Sequence, residues 1–205
     1  MIYLDFEGYM KQSPSLVGVQ LDGEFKQIIL DEDFSQIAKE TDIEFQNYDQ
    51  FCIDIIAISN LSGQPITAWS ENELDIFKAF KIPFDYCNLL KEAKLKIKNN
   101  PELDKKHKEM KEYWVGQRIN RAGNLNPHHN IYNQKKWKLI TILKLLEYPG
   151  LNSGYGNGKV TKRLTSIRNG LIARGSFKLL TKIQKSKWTK LLSHNRVDVV
   201  GMLFI

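Results

Sequence analysis

The sequence predicts an α/β protein, built on a mixed β-sheet that opens with an antiparallel meander and is flanked by helices. Three observations carry that prediction. Residues 2–8 alternate Ile2, Leu4 and Phe6 with Tyr3, Asp5 and Glu7, the two-residue period of a strand. Residues 16–21 and 24–30 are apolar runs joined by Asp22-Gly23, a dipeptide suited to a tight hairpin. Beyond residue 33 the spacing becomes largely helical, with a short apolar run at 66–69.

In order along the chain, residues 33–40 fit a short helix. Between 48 and 61, Tyr48, Phe51, Cys52, Ile55 and Ile58 fall at helical spacing, although their β-branched neighbours also suit a strand. Gly63 supplies a C-terminal stop. Ile66-Thr67-Ala68-Trp69 reads as the fourth strand and residues 70–80 as a helix. Residues 84–90 suit a fifth strand or the start of the next helix. Residues 91–136 read as a basic insertion or arm on the core, helical at first, broken at Asn99-Asn100-Pro101 and loop-like over 123–130. Trp137, Ile140, Leu143 and Leu146 predict an amphipathic helix over 137–147, stopped by Pro149-Gly150, with a flexible loop at 154–158. Helices then run from Val160 to the end, with breaks at Gly170 and Gly175. The whole, residues 1–205, is read as one domain.

Charge is divided along the chain. Residues 1–85 hold five lysines and no arginine against sixteen Asp and Glu, a net −11; residues 86–205 carry a net +18. An acidic half suits metal binding, and a strongly basic half suits the neutralisation of phosphates. No apolar run approaches the roughly 20 residues of a membrane-spanning helix. The chain starts directly in a strand without the signature of a signal peptide. Cys52 and Cys87 lack metal-ligand spacing and are expected to stay reduced. These features predict a cytoplasmic protein without a membrane partner.

Asp5 and Glu7 are the only charges in the first strand, and their spacing puts both on one face, a few ångströms apart. Like charges there cost stability by repulsion and desolvation. A hard divalent cation such as Mg²⁺ removes that cost. The alternative is an edge strand with both groups in solvent. In the last predicted helix, His194 and Asp198 are four residues apart and so share a face. Histidine can take a proton from water near neutral pH, but an Asp–His surface pair has the same spacing. Glu73 follows the fourth strand in Ser70-Glu71-Asn72-Glu73, where it could be a metal ligand or the closing member of a capping box with Ser70.

Taken in order, these pieces resemble the DEDD-type 3′-to-5′ exonucleases of the ribonuclease H-like fold, and most closely their compact group whose last motif reads Tyr-Asn-x-x-Asp-Val. The corresponding stretch here is His194-Asn195-Arg196-Val197-Asp198-Val199. The middle motif of that group resembles Ser70-Glu71-Asn72-Glu73. Its Ser-Leu-Lys-x-Leu helix is similar to Lys138-Leu139-Ile140-Thr141-Ile142-Leu143-Lys144. The resemblance covers residues 1–90 and 137–205.

The resemblance implies that Asp5, Glu7, Glu73 and Asp198 are four acidic metal ligands and that His194 orients or deprotonates water. It implies two Mg²⁺ or Mn²⁺ ions, roughly 4 Å apart, clamping a scissile phosphate. Two departures stand out. The middle ligand is usually Asp, where this chain has Glu73, with Asp75 and Asp54 as alternatives. The residue four before the last Asp is usually Tyr, and the branch with His places it five before. The implied partner is single-stranded DNA or RNA. Trp114, Arg118, Arg121, Lys159 and Arg163 are the candidate contacts to its backbone and bases. An endonuclease or junction resolvase on the same fold, and a catalytically silent nucleic-acid-binding module, are the alternatives. His128-His129 and the loop 154–159 lack the spacing of a metal site and of a phosphate loop.

Overall fold

The computed structural model describes residues 1–9, 12–110, 137–151 and 159–205. Strands β1 (Ile2–Glu7), β2 (Leu16–Leu21) and β3 (Glu24–Ile29) form the expected antiparallel meander. Asp22 and Gly23 both have positive φ, 49° and 85°. That is the backbone a two-residue turn needs if it is to follow the twist of its strands. On the far side of β1 lie β5 (Ile66–Ala68) and β6 (Tyr86–Asn88), both parallel to it. A further strand, β4 (Glu44–Phe45), runs parallel to β3 at the other edge. The sheet order is β4-β3-β2-β1-β5-β6. Two residues cannot display a period, so β4 gave no signal in the sequence.

Among the helices, α1 (Ser35–Glu40) follows a 3₁₀ turn at Glu32–Phe34, and α2 (Tyr48–Ser62) settles the ambiguous apolar stretch as helix. Asn47 caps α2 by accepting from the amides of Asp49 and Gln50, and Gly63 ends it. α3 (Glu71–Lys78) follows β5. Residues 84–90 divide between both expectations: β6 ends at Asn88, whose side chain caps α4 (Leu89–Lys98) at the amide of Lys91. Residues 101–110 form α5. α6 (Leu139–Leu145) is shorter than the periodicity predicted, and α7 (Val160–Arg174) and α8 (Lys182–Met202) complete the chain. Gly170 does not break α7. It lies buried where α7 meets the start of α8, and a Cβ there would stand 2.7 Å from Leu180 Cδ2. The break comes at Gly175 alone.

The two faces of the sheet bury different helices. Ile2, Leu4, Val17, Val19, Ile28, Ile66 and Ala68 pack against Phe51, Ile55 and Ile56 of α2 and Leu74 and Phe77 of α3. On the other face, Leu16 and Ile29 meet Leu164, Ile167, Trp188 and Leu191 of α7 and α8. Val199 and Met202 of α8 continue that layer with Leu89, Leu139 and Leu143. Ala93 and Ile97 of α4 are buried with Ile142 and Leu145 of α6, and Leu103 and Met110 of α5 pack there too. Strand alternation gives β1 its two roles: Ile2, Leu4 and Phe6 face α2 and α3, and Asp5 and Glu7 face α8. Among the described residues, no helix is long and apolar enough to cross a membrane.

Candidate metal centre

Helix α8 buries a stripe of Trp188, Leu191, Asn195, Val199 and Met202, spaced to face the sheet. Each fully buried Leu, Val or Met in that stripe contributes about 1.5–3 kcal/mol, enough to fix the helix against β1. His194 and Asp198 stand one position before Asn195 and Val199, on the shoulder of the stripe nearest Glu7. His194 Nε2 lies 3.4 Å from Asp198 Oδ2 and 3.9 Å from Glu7 Oε1. One ligating atom each from Glu7, His194 and Asp198 falls within 4.8 Å of the other two.

Glu73 acts on this group from another element, but neither it nor Asp5 belongs to the set of ligating atoms within 4.8 Å of one another. β5 pairs in parallel with β1, so the chain leaving β5 enters α3 beside the end of β1 that carries Asp5 and Glu7. Glu73 also closes a capping box: the Ser70 amide donates to Glu73 Oε2 at 3.1 Å, the Ser70 hydroxyl donates to the same oxygen, and the Asn72 amide donates to Ser70 Oγ. The charge of Glu73 acts on Asp5, Glu7 and Asp198 while one of its oxygens caps α3. The alternatives for the middle ligand are engaged elsewhere. Asp54 accepts from Gln46 and Gln50, and Asp75 pairs with Lys78.

Electrostatics sets the protonation of the group. Burial, then the charge of Glu73, pushes the Asp5 carboxyl up to about 8, opposed by a hydrogen bond from Asn195. Burial and the neighbouring carboxylates Asp5 and Asp198 hold Glu7 well above the usual range, partly offset by the positive charge of Arg163. Asp198 is raised well above its ordinary value by burial, Asp5 and Glu73. His194 moves the other way, down to about 4, because burial and Arg163 both disfavour its cation. At neutral pH the imidazole is uncharged, the form that can ligate a metal or orient a water. Glu7 is 6% exposed, and its Oε1 is buried without a hydrogen bond among the described residues. An acceptor left in that state costs about 1–3 kcal/mol unless a cation or donor occupies the space beside it.

Two of the five candidate nucleic-acid contacts are described. Arg163, in the first turn of α7, is half-buried and acts electrostatically on Glu7 and His194. Lys159 is exposed at the start of the same helix, and its carbonyl accepts from the Arg163 amide. Trp114, Arg118 and Arg121 lie outside the described residues, as do His128, His129 and the Gly154–Gly158 glycines. No family model matches the chain, and neither a curated protein nor a solved structure matches it significantly.

Asn195, matched in the last motif but given no chemical role there, takes part in the site. Asn195 is fully buried, and its Nδ2 donates to the Asp5 carbonyl at 2.9 Å and to Asp5 Oδ2 at 3.0 Å. The signal was present: a polar residue occupies a core position in the stripe Leu191–Asn195–Val199 of an otherwise apolar helix face.

Proposed function

We propose that this chain is a metal-dependent nuclease of ribonuclease H-like architecture, whose activity is 3′-to-5′ hydrolysis of single-stranded nucleic acid. The observation that carries the reading is the meeting of Glu7, His194 and Asp198, from two separate elements, around a buried carboxylate oxygen that accepts no hydrogen bond among the described residues, with the charges of Asp5 and Glu73 acting on the same group. A meander followed by parallel strands added beside β1 agrees with that architecture.

The donor set fits a hard divalent cation. Carboxylate oxygens suit Mg²⁺ or Mn²⁺, and a cation offsets the burial and, after it, the repulsion that raise three of the four carboxyls. Asp5, Glu7, Glu73 and Asp198 would hold two such ions. When bound, they supply charge stabilisation at a phosphate and a more acidic water. The protein's own groups supply the rest. His194, neutral at pH 7, holds Nε2 toward Glu7 and Asp198, where it can orient water. Arg163 offers a planar fork of donors to a phosphate beside the acidic group. The basic half, with Lys159 at the start of α7, would follow the sugar–phosphate backbone.

End-labelled oligonucleotides incubated with Mn²⁺ test the reading. Mononucleotides released from a 3′-labelled strand, with the 5′ label retained on a shortening ladder, are the expected result. Internal fragments from both labels would identify an endonuclease. Binding without metal-dependent cleavage would identify the silent module. Cleavage undiminished in Asp5→Asn would remove the proposed site.

A further inference from the structure

Asp5, Gly18 and Gln27 form one row across the meander. Asp5 pairs with Gly18 between β1 and β2, and Gly18 pairs with Gln27 between β2 and β3. All three positions face α8. The middle one has no side chain, and the vacancy is filled by Asn195. A Cβ on Gly18 would lie 2.3 Å from Asn195 Oδ1 and 2.9 Å from Val199 Cγ2. From that seat the Asn195 amide spans the row. Its Oδ1 accepts from Gln27 Nε2 at 3.0 Å, and its Nδ2 donates to Asp5 Oδ2 at 3.0 Å and to the Asp5 carbonyl at 2.9 Å. Gln27 is held in turn, because its Nε2 also donates to the Leu192 carbonyl at 2.9 Å.

The direction of this chain is fixed by its parts. A glutamine amide nitrogen only donates, so Asn195 must present its oxygen to Gln27 and its nitrogen to Asp5. The nitrogen takes Oδ2 of Asp5 and the carbonyl behind it. Among the described residues the Asp5 carboxylate makes no other hydrogen bond, and Oδ1 is left for a cation. We propose that Asn195, oriented by Gln27 and seated over Gly18, is the positioning residue that aims the Asp5 carboxylate into the metal centre. This inference rests on the metal-site reading above. Groups that orient a metal ligand from behind typically change metal affinity or activity 10–100-fold when removed.

The test is a Mn²⁺ titration of the full chain, followed by electron paramagnetic resonance, with each metal-free protein's melting temperature measured alongside. Wild type is compared with Asn195→Ala, Gln27→Met and the double variant. Gln27→Met keeps the shape of the side chain and removes its donors, and it carries the decision if Asn195→Ala does not fold. The expected result is a 10–100-fold weaker Mn²⁺ affinity in each single variant, with the double variant no weaker than the worse single. Non-additivity of that kind marks one unit acting through Asp5. Variants that melt lower but bind Mn²⁺ as tightly as wild type would overturn the positioning role and leave the metal site standing. A wild-type chain that binds no Mn²⁺ would instead overturn the metal-site reading, and this inference with it.

Discussion

Ser70 gives both its backbone amide and its hydroxyl to one oxygen of Glu73. This single contact explains why Glu73 stands where it does, and it allows the cap and the ligand to be separated by experiment. Glutamine serves as well as glutamate in a capping box. Glu73→Gln should therefore keep the melting temperature within a few degrees while weakening Mn²⁺ affinity and cleavage at least tenfold. Ser70→Ala should do the opposite, lowering stability by about 1 kcal/mol with metal affinity within a few-fold of wild type. Melting curves and Mn²⁺ titrations on the two variants decide it. A Glu73→Gln variant with full metal affinity would reduce Glu73 to a cap.

The raised carboxyls predict an unusual pH dependence for the metal-free protein. A group whose folded pKa lies above its unfolded value stabilises the fold below the unfolded pKa, and that stability is lost as pH rises through the folded pKa. Asp5, pushed up to about 8, therefore weakens the fold progressively toward pH 8.5, and Glu7 and Asp198 act in the same direction. His194, lowered to about 4, acts oppositely, but only below about 6.5, where the unfolded imidazole titrates. The clean window is pH 6.5–8.5. In chelator, the melting temperature should fall across it, and Asp5→Asn should make the fall shallower. Saturating Mn²⁺ should reverse the trend, since a metal takes the place of the protons. A flat profile in chelator would contradict the assigned shifts.

His194 faces Glu7 and Asp198 through Nε2, and burial and Arg163 disfavour its cation. If it takes the proton from water, His194→Ala should lower kcat by about 10²–10⁴-fold, with KM for an oligonucleotide changed far less. Equal losses in kcat and in Mn²⁺ affinity would make it a metal ligand instead. The two constants from a steady-state series, with the metal titration beside them, separate these roles.

The close seating of Asn195 over Gly18 makes a stability prediction that does not depend on chemistry. A methyl at position 18 meets Asn195 Oδ1 and Val199 Cγ2, both held on a packed helix. Gly18→Ala should destabilise the chain by about 1–3 kcal/mol, the usual cost of overpacking a core. Denaturant unfolding measures it, and an unchanged midpoint would mean that α8 can lift from the sheet at no cost.

Much of the fold was legible because its elements carry their own period and punctuation. The alternation in β1, the Asp22-Gly23 turn and the Gly63 stop all mark their elements. Elsewhere local pattern and tertiary packing diverged. Gly170 looks like a helix break, yet it is the small residue that lets α7 approach Leu180 and Gln184. At β4 two residues are too few to show any pattern. Glu7, His194 and Asp198, which lie together, were conspicuous in the sequence as a strand carboxylate and an i, i+4 His–Asp pair. Asn195 was legible as a motif position but its contacts were not, because they lie on a row of three strand residues that only the register brings together.

The basic half predicts a salt response. Binding driven by phosphate neutralisation weakens steeply with salt, the logarithm of affinity falling by about 0.7 per phosphate contact for single strands. With several contacts made, affinity for a single-stranded oligonucleotide should drop at least tenfold between about 50 and 200 mM salt. Fluorescence anisotropy measures the slope, and a flat response would refute the role given to the basic half.

In the proposed centre, Asp5, Glu7, Glu73 and Asp198 hold divalent cations. A Mn²⁺-soaked crystal, with data collected at the manganese absorption edge, tests it most directly. Anomalous peaks are expected within direct ligand distance of the Glu7, Asp198 and Asp5 carboxylates, with His194 Nε2 beside them. A well-ordered group of these side chains without a peak, at millimolar Mn²⁺ and pH 8, would contradict it.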